Sequence, residues 1–114
     1  MFLIEKNNRI RLTKGDTATM LVEAYDLDKK KYTFAPDDKI VLTVRKTVNA
    51  PISFQKEANE THHIIIDSTD TAELAAGLYM YDVQLTTKEG FVYTIIPPTF
   101  FELTAEVSYL WRRS

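Results

Sequence analysis

Apolar and polar residues alternate with a period of two along much of this chain, which is the signature of strands with one face turned to a core. Ala18, Met20, Val22 and Ala24 fall on one side of an extended segment, and Thr17, Thr19, Leu21 and Glu23 on the other. Ile40, Leu42 and Val44 alternate with Val41, Thr43 and Arg45 in the same way. The best run is Tyr79, Tyr81, Val83 and Leu85, which oppose Met80, Asp82, Gln84 and Thr86. Ile64 and Ile66 are the inward residues of a β-branched stretch, and Phe101 and Leu103 share a side near the end. Two clusters, Phe2-Leu3-Ile4 and Ile10 with Leu12, stand either side of the turn-like Asn7-Asn8 and read as an edge strand or lead-in.

The punctuation between these runs is that of turns. Lys14-Gly15-Asp16, Pro36-Asp37-Asp38 and Asn49-Ala50-Pro51 break the pattern, and residues 26–31 form a charged loop. Thr87-Lys88-Glu89-Gly90 predicts a tight hairpin joining residues 79–86 to 91–96, after which Pro97-Pro98 bends the path into a last strand over 99–104. One short helical turn is expected at residues 70–76. Asp70 serves as its N-cap, Glu73 reaches back to the cap, and Gly77 terminates it. Asp70, Gly77 and then Tyr79 form the pattern of a tyrosine corner, in which a phenol hydroxyl pins a crossover loop between two sheets. Together these features predict an all-β, immunoglobulin-like β-sandwich of about seven to eight strands.

Composition narrows what such a domain does. With 114 residues the chain holds one sandwich domain, residues 1–104, and an apolar tail, residues 105–114. Cysteine is absent, so the core needs no disulfide and no thiolate chemistry is available. A net charge of −2 gives none of the positive field that phosphate backbones select, so no nucleic-acid partner is expected. The first apolar run breaks at Glu5 and Lys6, too short for a signal or a membrane span, and no membrane partner is expected either. In the tail, Val107, Tyr109, Leu110 and Trp111 lie beside Arg112, an apolar set that has to cover something, either its own domain or a neighbouring subunit.

Candidate chemistry is sparse. His62 and His63 are adjacent in an extended stretch and project to opposite faces, so they do not chelate one ion. Asp26 with Asp28, and Asp37 with Asp38, are acidic loop pairs of the kind that hold calcium, although aspartate recurs in loops because it favours turns. Ser68 is near Asp67 and His63 in sequence only, and Gly15, Gly77 and Gly90 are too far apart to form a phosphate loop. Lys29-Lys30-Lys31 reads as a solvated hairpin tip. No enzymatic activity and no cofactor are expected. The aromatics Tyr25, Tyr32, Phe34, Tyr93 and Trp111 leave a carbohydrate- or surface-ligand-binding module as the alternative to an assembly role.

Three stretches taken in order, Lys14-Gly15-Asp16-Thr17, then Ile40-Val41-Leu42-Thr43-Val44-Arg45-Lys46, then Asp70-Thr71-Ala72 through Gly77-Leu78-Tyr79-Met80-Tyr81-Asp82-Val83-Gln84-Leu85, resemble bacteriophage tail and baseplate domains. The similarity is to the amino-terminal immunoglobulin-like module of upper baseplate proteins, and it spans residues 12–104. It implies a non-enzymatic virion structural protein of a phage or prophage, whose partners are other tail proteins or further copies of itself. It further implies residence in the bacterial cytoplasm during assembly and then in the virion. Those baseplate proteins continue into additional domains, whereas the sequence here ends at Trp111-Arg112-Arg113-Ser114, so a small adaptor is expected.

Overall fold

A computed structural model describes residues 2–5 and 7–105. Two β layers enclose the core, with one short helix between them. The strands are β1 (Phe2–Ile4), β2 (Ile10–Thr13), β3 (Ala18–Leu21), β4 (Ala24–Tyr25), β5 (Lys31–Tyr32), β6 (Lys39–Arg45), β7 (Ile52–Glu57), β8 (His63–Ile66), β9 (Gly77–Thr86) and β10 (Val92–Thr104). The helix α1 (Ser68–Ala72) lies between β8 and β9. A six-stranded sheet has the order β1-β2-β10-β9-β6-β7, and β3 pairs with β8 in the facing layer. A two-stranded ribbon of β4 and β5 follows β3. The fold is an all-β sandwich.

The alternating pattern predicts the core well. Ile40, Leu42 and Val44 from β6 are buried against Tyr79, Tyr81, Val83 and Leu85 from β9, and Ala18, Met20, Ile64 and Ile66 close over them from the second layer. Phe101 is fully buried on β10 and meets Tyr81 and Phe54 edge-on, with ring centroids 6.2 and 6.0 Å away. Such T-shaped contacts place the positive ring edge over the negative face of the neighbour.

Four expectations are corrected. Residues 10–12 are not an edge: β2 lies between β1 and β10, pairs with β10 in parallel, and its Ile10 and Leu12 are core. Only β1 is the edge there. The strands among the described residues number ten rather than seven to eight, because β1 and β2 are separate and the short strands β4 and β5 flank the charged hairpin tip. Pro97-Pro98 does not divide the last strand. β10 runs through both prolines because two register shifts against β9, between Thr94 and Ile96 and between Ile96 and Thr99, accommodate residues that cannot donate to a ladder.

The fourth correction concerns the helix. It begins about one turn earlier than expected, with Asp67 as the N-cap and Asp70 at the third helical position. The Asp70 carboxylate accepts the Asp67 N–H at 2.7 Å, so Asp70 has the reaching-back role that the sequence suggested for Glu73. Glu73 is the C-cap. Gly77 does not terminate the helix but opens β9 at φ 150°, where a Cβ would meet the Lys46 Nζ at 3.2 Å.

Candidate interaction surfaces

One end of the sandwich is closed by directed hydrogen bonds. The Tyr79 hydroxyl donates to the Ala75 carbonyl at 2.7 Å, tying the start of β9 to the loop that precedes it. Lys46 lies over the same ring, its Nζ 4.5 Å from the centroid, in space left free by Gly77. Thr71 is fully buried, and its hydroxyl accepts the Gly15 N–H at 2.9 Å, joining α1 to the β2–β3 turn. The alternation that picks out Tyr79 gives no signal for Thr71, since a threonine in a polar helical turn looks solvent-facing. Asp70 does not touch Tyr79. With Asp67 it holds the Lys56 ammonium from β7, at 3.0 and 3.1 Å. The Asp70 hydrogen bond is the main reason that the Lys56 pKa rises above its usual value, with desolvation opposing it.

Further along the sheet, the Tyr81 hydroxyl donates to the Asn8 carbonyl and anchors the β1–β2 turn, a link of 73 positions that no local pattern shows. Burial raises its pKa to about 12. On the outer face Asp82, half-buried, has its pKa raised by desolvation and partly lowered again by the Arg45 charge. Beside them Thr43, Arg45, Met80, Tyr81 and Asp82 line a cavity of about 20 Å³, room for a single water.

The other end is open. β9 and β10 extend past the four-residue strands of the facing layer, so Tyr93, opposite buried Leu85, projects from the inner face yet is 55% exposed. Phe91 (61%), Val92 (57%), Tyr25 (59%) and Leu27 (102%) are exposed as well. The connection itself is tight: Thr87 N–H donates to the Phe91 carbonyl at 2.9 Å, and Gly90 has φ 91°. Tyr32 from β5 donates to Asp38 at 2.9 Å. That bond, then desolvation, then the nearby charges of Asp38, Tyr93 and Glu89 raise its pKa. Phe34 stacks between Tyr32 and His62, 5.5 and 4.8 Å from them.

The other sequence candidates have structural roles. Asp26 accepts the N–H groups of Asp28 and Lys30, both at 2.9 Å, and so shapes the ribbon tip together with Lys29 at φ 63°. Asp38 accepts the Ala35 N–H at 2.8 Å, and Asp37 is exposed. His63 shares a hydrogen bond of 2.8 Å with the Thr61 hydroxyl, while His62 packs on Phe34. Ser68 is an exposed first-turn residue of α1. Among the described residues no group of three His, Cys, Asp or Glu could hold a metal ion, and no helix is long and apolar enough to cross a membrane. Val107, Tyr109, Leu110, Trp111 and Arg112, the proposed contact set of the tail, lie outside the described residues.

No protein-family model matches this chain, and no curated protein is significantly similar to it.

Proposed function

We propose that this domain is a non-enzymatic assembly module that works by protein–protein contact, and that it belongs to the tail or baseplate of a phage or prophage. The observation that supports the assembly role is exposure at the two hairpins: Phe91, Val92 and Tyr93 beside the β9–β10 connection and Tyr25 and Leu27 on the β4–β5 ribbon are large, apolar and exposed. Isolated exposed hydrophobics are ordinary, but three in succession, Phe91, Val92 and Tyr93, following charged Lys88 and Glu89, suit an interface with a charged rim. Aromatic residues also dominate the energetics of such contacts. The phage assignment draws on the resemblance of residues 12–104, and it implies partners among virion proteins and a life cycle from bacterial cytoplasm to particle.

The test is co-expression with the products of the adjacent genes, followed by affinity capture of the full chain and mass spectrometry. The expected result is capture of tail or baseplate proteins by the wild type, reduced at least tenfold by the double variant Phe91→Ser, Tyr93→Ser. A glycan-array signal that depends on Tyr25, Tyr32 and Tyr93, with no captured protein, would establish the carbohydrate-binding alternative instead.

A further inference from the structure

The two layers differ in how their edges are protected. The six-stranded sheet ends on one side in β1, only three residues long, and on the other in β7, which carries Lys56 and Glu57 and is offset by a register shift against β6. Short strands, charges and irregular register are the devices that stop a sheet edge from recruiting another strand. β3 is short too, at four residues, but has neither a charge nor an irregular register. Thr17-Ala18-Thr19-Met20-Leu21-Val22 contains no charge, no proline and no glycine.

Among the described residues β3 pairs only with β8. The Val22 N–H donates to the His62 carbonyl at 2.9 Å, which fixes the phase of the ladder. In an antiparallel pair alternate residues exchange bonds, so Ala18, Met20 and Val22 face β8 while the peptide groups of Thr17, Thr19 and Leu21 point the other way. Beside that row Leu21 is 55% exposed and Ile65, opposite Thr19, is 43% exposed on the outer face.

We propose that the free edge of β3 pairs antiparallel with β3 of a second copy of this chain, about a two-fold axis at Thr19. The proposal deepens the assembly reading above by naming one partner and its surface. The strand is complementary to itself. Centred on Thr19, the pairing sets Ala18 opposite Met20, small against large on the core side, and Thr17 opposite Leu21 on the outer side, where Ile65 of each copy extends the apolar cover. Both rows of outward peptide groups are then satisfied, and two layers of two strands become one of four. A closed two-fold contact of this kind is isologous and stops at the dimer.

Because the chain has no cysteine, Thr19→Cys introduces a single thiol. Hydrogen-bonded antiparallel partners lie about 5.5 Å apart at Cα, within disulfide span. Leu21→Cys places its thiols about 13 Å apart along the strands, beyond that span. Under mild oxidation Thr19→Cys should cross-link at least tenfold faster than Leu21→Cys, and Leu21→Cys mixed with Thr17→Cys should form the heterodimer. Light scattering of wild type between about 10 μM and about 1 mM, where an interface below standard size associates, should rise toward twice the monomer mass. Thr19→Lys, with two like charges at the axis and an unchanged circular dichroism spectrum, should stay monomeric. A wild-type monomer over the whole range, equal cross-linking of the two cysteine variants, or a dimer that survives Thr19→Lys would each overturn the proposal. Tail proteins captured through Phe91 and Tyr93 by a chain that stays monomeric would remove this inference alone, while a dimer that captures nothing would remove the partner reading and leave this one.

Discussion

The two ends of the sandwich are built on opposite principles. At the α1 end directed polar contacts recur: Tyr79 on Ala75, Thr71 on Gly15, Lys56 between Asp67 and Asp70. At the hairpin end aromatic and aliphatic side chains remain in solvent although their strands are paired there, Val92 with Thr86 and Tyr93 with Leu85. The lesson is that the bonds that secure the fold and its exposed apolar side chains are separated in space. The first end holds the layers together, whereas little of the core depends on the second.

Substitution of matched aromatics gives the widest contrast. Tyr79→Ala should lower unfolding free energy by about 3–5 kcal/mol, the range for emptying a buried aromatic site. Tyr93→Ala should change it by no more than about 0.5 kcal/mol, as for other exposed positions. Urea midpoints of the two variants measure this, and equal losses would break the comparison. Within the closed end, Thr71→Val keeps the volume but leaves the Gly15 N–H without an acceptor, and should cost about 1–3 kcal/mol in the same assay.

Proton linkage gives smaller effects. Tyr81, with a folded pKa of about 12, holds its proton more tightly folded than unfolded. Stability from this group is therefore complete below the unfolded value of about 10 and is lost as pH rises from there through the folded value. Thermal melts between pH 9 and pH 12 should show a decline that is shallower in Tyr81→Phe. Asp82 is the smallest case. Its raised pKa means that the folded state binds the proton more tightly, so ionisation lowers stability as pH rises from about 3.9 through the folded value. Asp82→Asn should accordingly gain a little stability at pH 7, and the gain should disappear by about pH 3, below the unfolded pKa.

Much of the fold was legible because burial here follows strand alternation. Tyr79, Tyr81, Val83 and Leu85 are inward as their spacing requires, as are Ile40, Leu42 and Val44. The tyrosine hydroxyl at position 79 also finds a backbone acceptor four residues earlier, a contact short enough in sequence for local pattern to indicate. What escaped was long-range. Whether Ile10 and Leu12 lie at an edge or beside β10 depends on a parallel pairing across more than ninety residues, which no local window contains. The capping register is ambiguous in sequence because Asp67, Asp70 and Glu73 are all acidic at three-residue spacing, and each adjacent pair satisfies the same local rule. The open end was visible only as a list of aromatics. Its exposure comes from the length mismatch between β9–β10 and the facing layer, a property of two sheets together.

That parallel pairing has a mechanical corollary. β2, near the start of the domain, and β10, near its close, run side by side in the same direction over Ile10–Thr13 and Phe101–Thr104. A load that pulled these strands apart along their length would strain their cross-links in shear, all at once, whereas β1 would peel from β2 one bond at a time. The domain should thus yield under tension in two stages, a soft opening of the β1 hairpin followed by a stiff rupture between β2 and β10.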